Sequence, residues 1–329
     1  MHRIRGQGLR TTAAALVLSG CSGRQSVLDP AGSDAQALFT LFVSLLAGAA
    51  ILWVGMNGLF YWFTRRSTGT LPERSGRMLI LFGGVIAPTV VIGGVLVWGL
   101  SHLPDQQAPG DGLTVSVIGE QWWWRVEYTM EGVEGSVVSA NEIRLPTGQR
   151  TDLRLTSDGV IHSLWVPAMG GKMDMFPGRE TRMSLEPVEP GLYRGQCAEF
   201  CGASHAWMAF MAVAMPPDDF AAWLEAEAQD AAEPQSDAAR RGLAVFQSSG
   251  CGACHTVRGT PAVGKVGPDL THVGSRLTIG AGRLGATLDD IERWIAHTDD
   301  LKPEVQMPSY PELSPRQTAD LAKYLKELK

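Results

Sequence analysis

Cys197-Ala-Glu-Phe-Cys201-Gly-Ala-Ser-His205-Ala-Trp-Met208 is the most informative stretch of this 329-residue chain, and it has a distant partner in Ile161-His162-Ser163. Two thiolates, two imidazoles and a thioether are soft or borderline donors, suited to copper. A mononuclear blue-copper site uses one Cys, two His and a weak Met, whereas here a second Cys stands four residues on. Two thiolates can bridge two copper ions, with one His for each metal and Met208 plus a backbone carbonyl as weak outer ligands. Sharing the odd electron between two metals spreads the redox change over more bonds, which suits electron transfer. A Cys197–Cys201 disulfide and a zinc site of two Cys and two His are the competing readings. The disulfide gives no role to His162, His205 and Met208, and zinc has no use for Met208.

Around this cluster the pattern is β. Leu113-Thr-Val-Ser-Val-Ile118, Glu142-Ile-Arg-Leu145 and Thr151-Asp-Leu-Arg-Leu155 alternate, and Gly and Pro punctuate at Pro146-Thr-Gly148, Asp158-Gly159, Pro177-Gly178 and Pro190-Gly191. Short strands at this spacing predict a β-sandwich or small barrel. Downstream, Ala221 to Ala239 is rich in Ala and acidic residues, and Glu233-Pro-Gln-Ser236 reads as a linker. A helical spacing from Ala238 to Gln247 then leads into Cys251-Gly-Ala-Cys254-His255. In an exported protein this is the attachment signature of a c-type haem, with two thioethers and His255 as proximal ligand. A thioredoxin-like dithiol would need a βαβ context that is absent. Met307, in Gln306-Met-Pro-Ser-Tyr310, is the one methionine of residues 236–329 and the expected distal ligand. His272 and His297 compete for that place. His297 falls in an expected helix, Leu288 to His297, whereas the Pro-flanked loop can bring the Met307 sulfur over a haem.

Upstream, two apolar stretches run without charge, 27 residues from Ala37 to Phe63 and 23 from Met78 to Leu100. At about 1.5 Å per residue each can cross a hydrocarbon core of ~30 Å. Between them Arg65, Arg66, Arg74 and Arg77 stand against Glu73 alone, which places the linker in the cytoplasm and both chain ends outside. The N-terminus carries Arg3, Arg5 and Arg10 before a short apolar run, Thr11 to Leu18, as a secretory signal does. It closes in Leu18-Ser-Gly-Cys21, which resembles a bacterial lipoprotein cleavage box with Cys21 as the lipidated residue. Charge divides along the chain: net +5 over residues 1–100, −12 over 101–235 and +1 over 236–329. No segment concentrates the basic charge that nucleic-acid binding requires, so that function is excluded.

The stretch from about 35 to 225 resembles subunit II of haem–copper cytochrome c oxidases. The likeness is carried by the two apolar segments, Gln121-Trp-Trp-Trp124, His162-Ser-Leu-Trp-Val-Pro167, Lys172-Met-Asp174, Pro177-Gly-Arg179 and Gly191-Leu-Tyr-Arg-Gly-Gln-Cys197, together with the C-x-E-x-C-x3-H-x2-M spacing. It implies a cupredoxin-like all-β barrel holding a dinuclear CuA centre. The implied ligands are His162, Cys197, Glu199 through its carbonyl, Cys201, His205 and Met208, with the Glu199 side chain helping to bind Mg2+ or Mn2+ at the interface with subunit I. It also implies an electron-receiving tryptophan at the surface, most simply Trp122, with Trp123 where the family often has Tyr. Alternation along a strand puts Trp122 and Trp124 on one face and Trp123 on the other. The related quinol oxidase subunits lack the copper ligands. This chain keeps them, so a one-electron donor is expected.

The last segment resembles an all-α class I cytochrome c in its N-terminal helix, its C-x-x-C-H, Gly267-Pro268-Asp-Leu270, the Met-Pro loop and a final helix, Ser314 to Leu328. That family implies that the Pro268 carbonyl accepts the proximal imidazole proton. Fusion of the two modules is the arrangement of caa-type oxidases. The expected organisation is a signal segment 1–20, an N-terminal segment and transmembrane hairpin 21–104, a CuA domain 105–225, a linker 226–237 and a haem domain 238–329. The implied function is electron input to a terminal oxidase of the bacterial cytoplasmic membrane, both redox domains lying on the periplasmic or outer face. An external carrier such as a cytochrome c would reduce haem c, haem c would reduce CuA, and CuA would feed subunit I, where O2 becomes water. The chain holds no ligand set for the oxygen-reducing centre, so that chemistry belongs to a partner. An electron-input subunit for nitric oxide reduction is the alternative in the same class. A copper-storage lipoprotein is the alternative outside it, although storage needs no covalent haem.

Overall fold

The computed structural model describes residues 21–66, 69, 72–132 and 135–329, so the signal segment 1–20 lies outside the described residues. These fall into two units, Gln36–Asp105 on one side and 21–35 with Gln106–Lys329 on the other. In the first unit helix α1 spans Ser33–Arg65 and helix α2 spans Glu73–His102, whose middle, Ile80–Ile86, winds as a π-helix around Gly83-Gly84. Both exceed the expected apolar runs by a few residues at each end, because polar flanks continue the helical hydrogen bonds beyond the apolar core. Their large apolar side chains, among them Ile51, Trp53, Phe60, Ile80, Val90 and Val97, are exposed along nearly the whole length. Water cannot be the solvent for such surfaces, and a membrane can.

In the second unit ten strands form two sheets. Strands β1 (Leu113–Glu120), β2 (Trp123–Met130), β3 (Val137–Ala140), β5 (Thr151–Ser157) and β8 (Thr181–Leu185) make one, in the order β3-β2-β1-β5-β8. Strands β4 (Glu142–Pro146), β6 (His162–Trp165), β7 (Lys172–Met175), β9 (Gly191–Cys197) and β10 (Ala209–Met215) make the other, in the order β4-β10-β9-β6-β7. The pairs β1–β5 and β4–β10 are parallel and the rest antiparallel, a cupredoxin-like layout. Strict alternation in β1 turns Leu113, Val115 and Val117 inward against Leu145, Leu164 and Phe210 of the facing sheet. Trp124 and Tyr128 fill the same core from β2. Arg150 bonds Asp34 and Glu186 at 3.0 Å, within the unit that holds the β-domain.

The helical domain follows. Helix α3 (Pro217–Glu227) caps the β-core with Phe220 and Leu224, so the expected linker begins as helix. Helix α4 (Asp237–Ser248) is capped by the Ser236 hydroxyl, and α6 (Pro315–Glu327) by a Ser314/Gln317 capping box with Pro315 at its first position. The two pack together through Phe246 on Tyr324 and a two-pronged Arg241–Asp320 pair, with α5 (Leu288–Ala296) alongside. Apolar residues at helical spacing, Val245, Phe246, Ile291, Ile295 and Leu321, join into a second core. The helical domain is not a free appendage. Arg258 donates to Val138 O, Glu227 O and Gln229 O, Ala209 N donates to Ala281 O at 3.0 Å, and Leu277 N donates to Glu142 Oε1.

Candidate functional site

The pairing of Leu164 with Cys197 sets the start of β6 beside the end of β9, which brings His162 to the cysteine loop. His162 is fully buried, and the ring is accommodated by Gly119 on β1: a Cβ there would lie 2.7 Å from the imidazole Cδ2. The loop from Cys197 to Met208 closes on itself through Cys197 N to Met208 O, 2.9 Å, and Ala198 N to Ser163 O, 3.0 Å. The six expected donors converge. Cys197 Sγ lies 3.8 Å from Cys201 Sγ, 3.7 Å from His162 Nδ1 and 3.1 Å from Glu199 O. Cys201 Sγ lies 3.5 Å from His205 Nδ1 and 3.9 Å from Met208 Sδ.

Each thiol thus has one imidazole and one weak donor of its own, which matches two ions sharing both sulfurs. A tetrahedral zinc site would leave Met208 and the Glu199 carbonyl without purpose, and the two thiols are not bonded to each other. The contact between the two sulfurs holds the Cys197 thiol well below its ordinary range and, with burial, pushes Cys201 up. Thiols bind a metal as thiolates, and two sulfurs this close can both turn to one. The Glu199 carboxylate points elsewhere: it is half exposed and 3.8 Å from Lys172 Nζ, which also pairs with Asp174.

A cavity of about 360 Å3 opens in the helical domain, within the ~300–1,000 Å3 of ligand sites. Cys251, Cys254, His255 and Met307 all line it, together with apolar Leu270, Ile279, Ile291 and Ile295. His255 Nδ1 donates to Pro268 O at 2.7 Å, which frees Nε2 for a metal, and burial lowers the imidazole so that it stays neutral. Gly267 makes room for this ring, since a Cβ there would stand 2.4 Å from its Cε1. The competitors of Met307 lie elsewhere: His272 bonds Gln229 O, and His297 is exposed beside Asp300, neither lining the cavity among the described residues. Two thiols, a neutral imidazole, a thioether and an apolar wall fit a covalent haem.

Trp122 corrects the expectation of a surface tryptophan. It is 5% exposed: it packs into the β-domain core, and helical-domain residues line the cavity beside it. It belongs to the wall of the haem-type cavity and donates through Nε1 to Cys201 O at 2.9 Å, where Gln121 Nε2 also donates at 3.0 Å. Trp123, the first residue of β2, lies under the Arg125 guanidinium and also lines the cavity. Lys302 was not legible as a functional residue. It is the one basic residue between His297 and Ser314, with no motif around it, yet it is 2% exposed and donates to Trp122 O at 2.6 Å and Gly280 O at 2.9 Å.

Comparison with known proteins agrees with both halves. Residues 130–215 match the family profile of the cytochrome c oxidase subunit II periplasmic domain, and residues 239–329 match that of cytochrome c. Cytochrome c oxidase subunit 2 of Alkalihalophilus pseudofirmus is 32% identical over 330 residues, covering 95% of this chain and 94% of that one. Its counterpart in Bacillus subtilis is 29% identical over 344 residues, with 95% of each chain covered. Among solved structures, the periplasmic domain of subunit II of the Bradyrhizobium japonicum cytochrome oxidase is 28% identical with a TM-score of 0.34, covering 37% of this chain and 96% of that one.

Proposed function

Because this chain belongs to the cytochrome c oxidase subunit 2 family and continues into a cytochrome c domain, we propose that it forms the whole electron-input path of its oxidase. His162, Cys197, Cys201, His205, Met208 and the Glu199 carbonyl would hold a dinuclear copper centre. Cys251 and Cys254 would carry the haem thioethers, with His255 Nε2 and Met307 Sδ as axial ligands. When bound, these groups supply one-electron chemistry between an external donor and subunit I, where O2 is reduced to water.

Trp122 carries this reading. Its ring lies between the cavity of His255 and Met307 and the backbone of Cys201, joined to the latter by a hydrogen bond. With Trp122 buried, the external one-electron donor docks on the cytochrome c domain and not on the copper domain. Gln121 and Trp122 hold the Cys201 carbonyl with two N–H groups, which keeps the cysteine loop still while its sulfurs change charge. The Glu199 carboxylate, turned outward beside Lys172, is free to share an Mg2+ or Mn2+ ion with subunit I. The basic residues between α1 and α2 belong on the cytoplasmic side of the bacterial inner membrane, which puts both redox domains outside. Cys21 is assigned as the lipidated first residue of the mature chain; an unmodified thiol in the mass spectrum of that peptide contradicts the assignment.

Metal analysis and electron spin resonance of the purified chain test the proposal. Two coppers and one haem iron per chain are expected, with one unpaired electron shared by two copper nuclei. Zinc alone, or the signal of a single type 1 copper, overturns it.

A further inference from the structure

We infer that Lys302 is the positioning residue that seats the cytochrome c domain on Trp122. The inference rests on the electron path proposed above and names what fixes its geometry. Lys302 begins the segment that ends in Met307, and its side chain crosses from the helical domain into the β-domain. There Nζ donates to Trp122 O at 2.6 Å while holding Gly280 O of its own domain at 2.9 Å. The next residue is tied as well: Ser204, inside the cysteine loop, donates its hydroxyl to Pro303 O at 2.5 Å. Arg283 completes the seam by lying 4.0 Å from the centre of the Trp207 ring and donating to Leu301 O at 2.7 Å. The loop expected to bring a haem ligand is therefore fastened at its root to the tryptophan and to the loop that holds the copper ligands.

A lysine suits this place for a physical reason. Two carbonyls, the buried Trp122 O and the partly buried Gly280 O, one from each domain, need a donor each, and a single nitrogen on a four-carbon arm supplies both. Burial pushes the ammonium down to about 7, but a neutral amine still has two N–H groups for two acceptors, so the tie persists in either form. Without it both carbonyls lose this donor, and parting the domains lets water take its place. The covalent connection would keep the domains near each other, so the loss appears as a slower, docking-limited step and not as a dead chain.

The test uses the full-length chain in the assembled oxidase, with Lys302→Met and Lys302→Arg. A one-electron pulse is delivered to the haem, and its first-order reoxidation by the copper centre is followed at several solvent viscosities. Lys302→Met is expected to slow this step about tenfold or more and to make it viscosity-dependent, with the haem spectrum and the copper spin signal unchanged. Lys302→Arg, which also offers donors to two carbonyls, recovers most of the rate. If Lys302→Met does not assemble, Ser204→Ala removes the neighbouring tie and is expected to slow the step in the same viscosity-dependent way. A wild-type rate and viscosity independence in Lys302→Met overturn the inference alone. Absence of any haem-to-copper transfer in the wild-type chain overturns the electron path itself, and the inference with it.

Discussion

Met307 is the residue on which the proposed haem chemistry turns. His255 is fixed by its bond to Pro268 O, and Met307 shares the cavity with it, while His272 and His297 are engaged elsewhere. A thioether favours ferrous iron more than a second imidazole does. Met307→His is therefore expected to lower the haem potential by a measurable part of the roughly 0.8 V that axial ligation spans, with attachment through Cys251 and Cys254 intact. Redox titration checks this, and a potential that does not move in Met307→Ala places the ligand elsewhere. Most of the candidate ligands are legible from sequence because their spacing is local: Cys197 to Met208 lie within one loop and Cys251 to His255 within one turn, whereas His162 and Met307 are distant and are singled out by residue type and by the family resemblance. Lys302 is not legible, because its partner Trp122 is 180 residues away and a lone loop lysine ordinarily faces solvent. The surface placement of Trp122 fails for the same reason. Strand β2 begins only at Trp123, so alternation does not reach Trp122, and nothing local records what a later domain lays beside it.

Among the elements, the connector between the two domains departs most from its sequence reading. An Ala- and Glu-rich run with a proline predicts a loose linker, yet its backbone is stitched at both ends. Arg258 holds Glu227 O and Gln229 O, and Glu327 of α6 accepts from Gln235 N, Ser236 N and the Ser236 hydroxyl. Such stitches use long-range partners that no local pattern records. Burial alone would raise the Glu327 carboxyl; the Ser236 hydroxyl, the two backbone N–H groups and Lys323 outweigh it and bring it down to about 2 from 4.5. A lowered carboxylate pKa adds stability that is fully present above the unfolded value and is lost as pH falls through the folded one. Stability of the exported region is thus expected to decline between about pH 4.5 and 2, and Glu327→Gln to flatten that part of the profile in chemical denaturation. An unchanged acid limb in the variant contradicts the assignment. Strands β1, β4 and β5 and the helices α4 to α6, by contrast, match their sequence reading closely, since alternation, caps and helical spacing are properties of the segments themselves.

For the whole molecule, the charge partition and the fusion have one consequence. An acidic β-domain would by itself attract basic soluble carriers, but the place beside Trp122 is taken by the chain's own cytochrome c domain, held by Lys302, Arg258 and Ala209. On the proposed path the bimolecular encounter moves outward to that domain, and the step between the two centres becomes internal. A substoichiometric one-electron donor, mixed rapidly with the oxidised wild-type chain, tests this directly. The account predicts that haem absorbance rises first, then decays as the copper signal bleaches, at a rate independent of chain concentration. Reduction of the copper before the haem, or a second phase that scales with chain concentration, would contradict it.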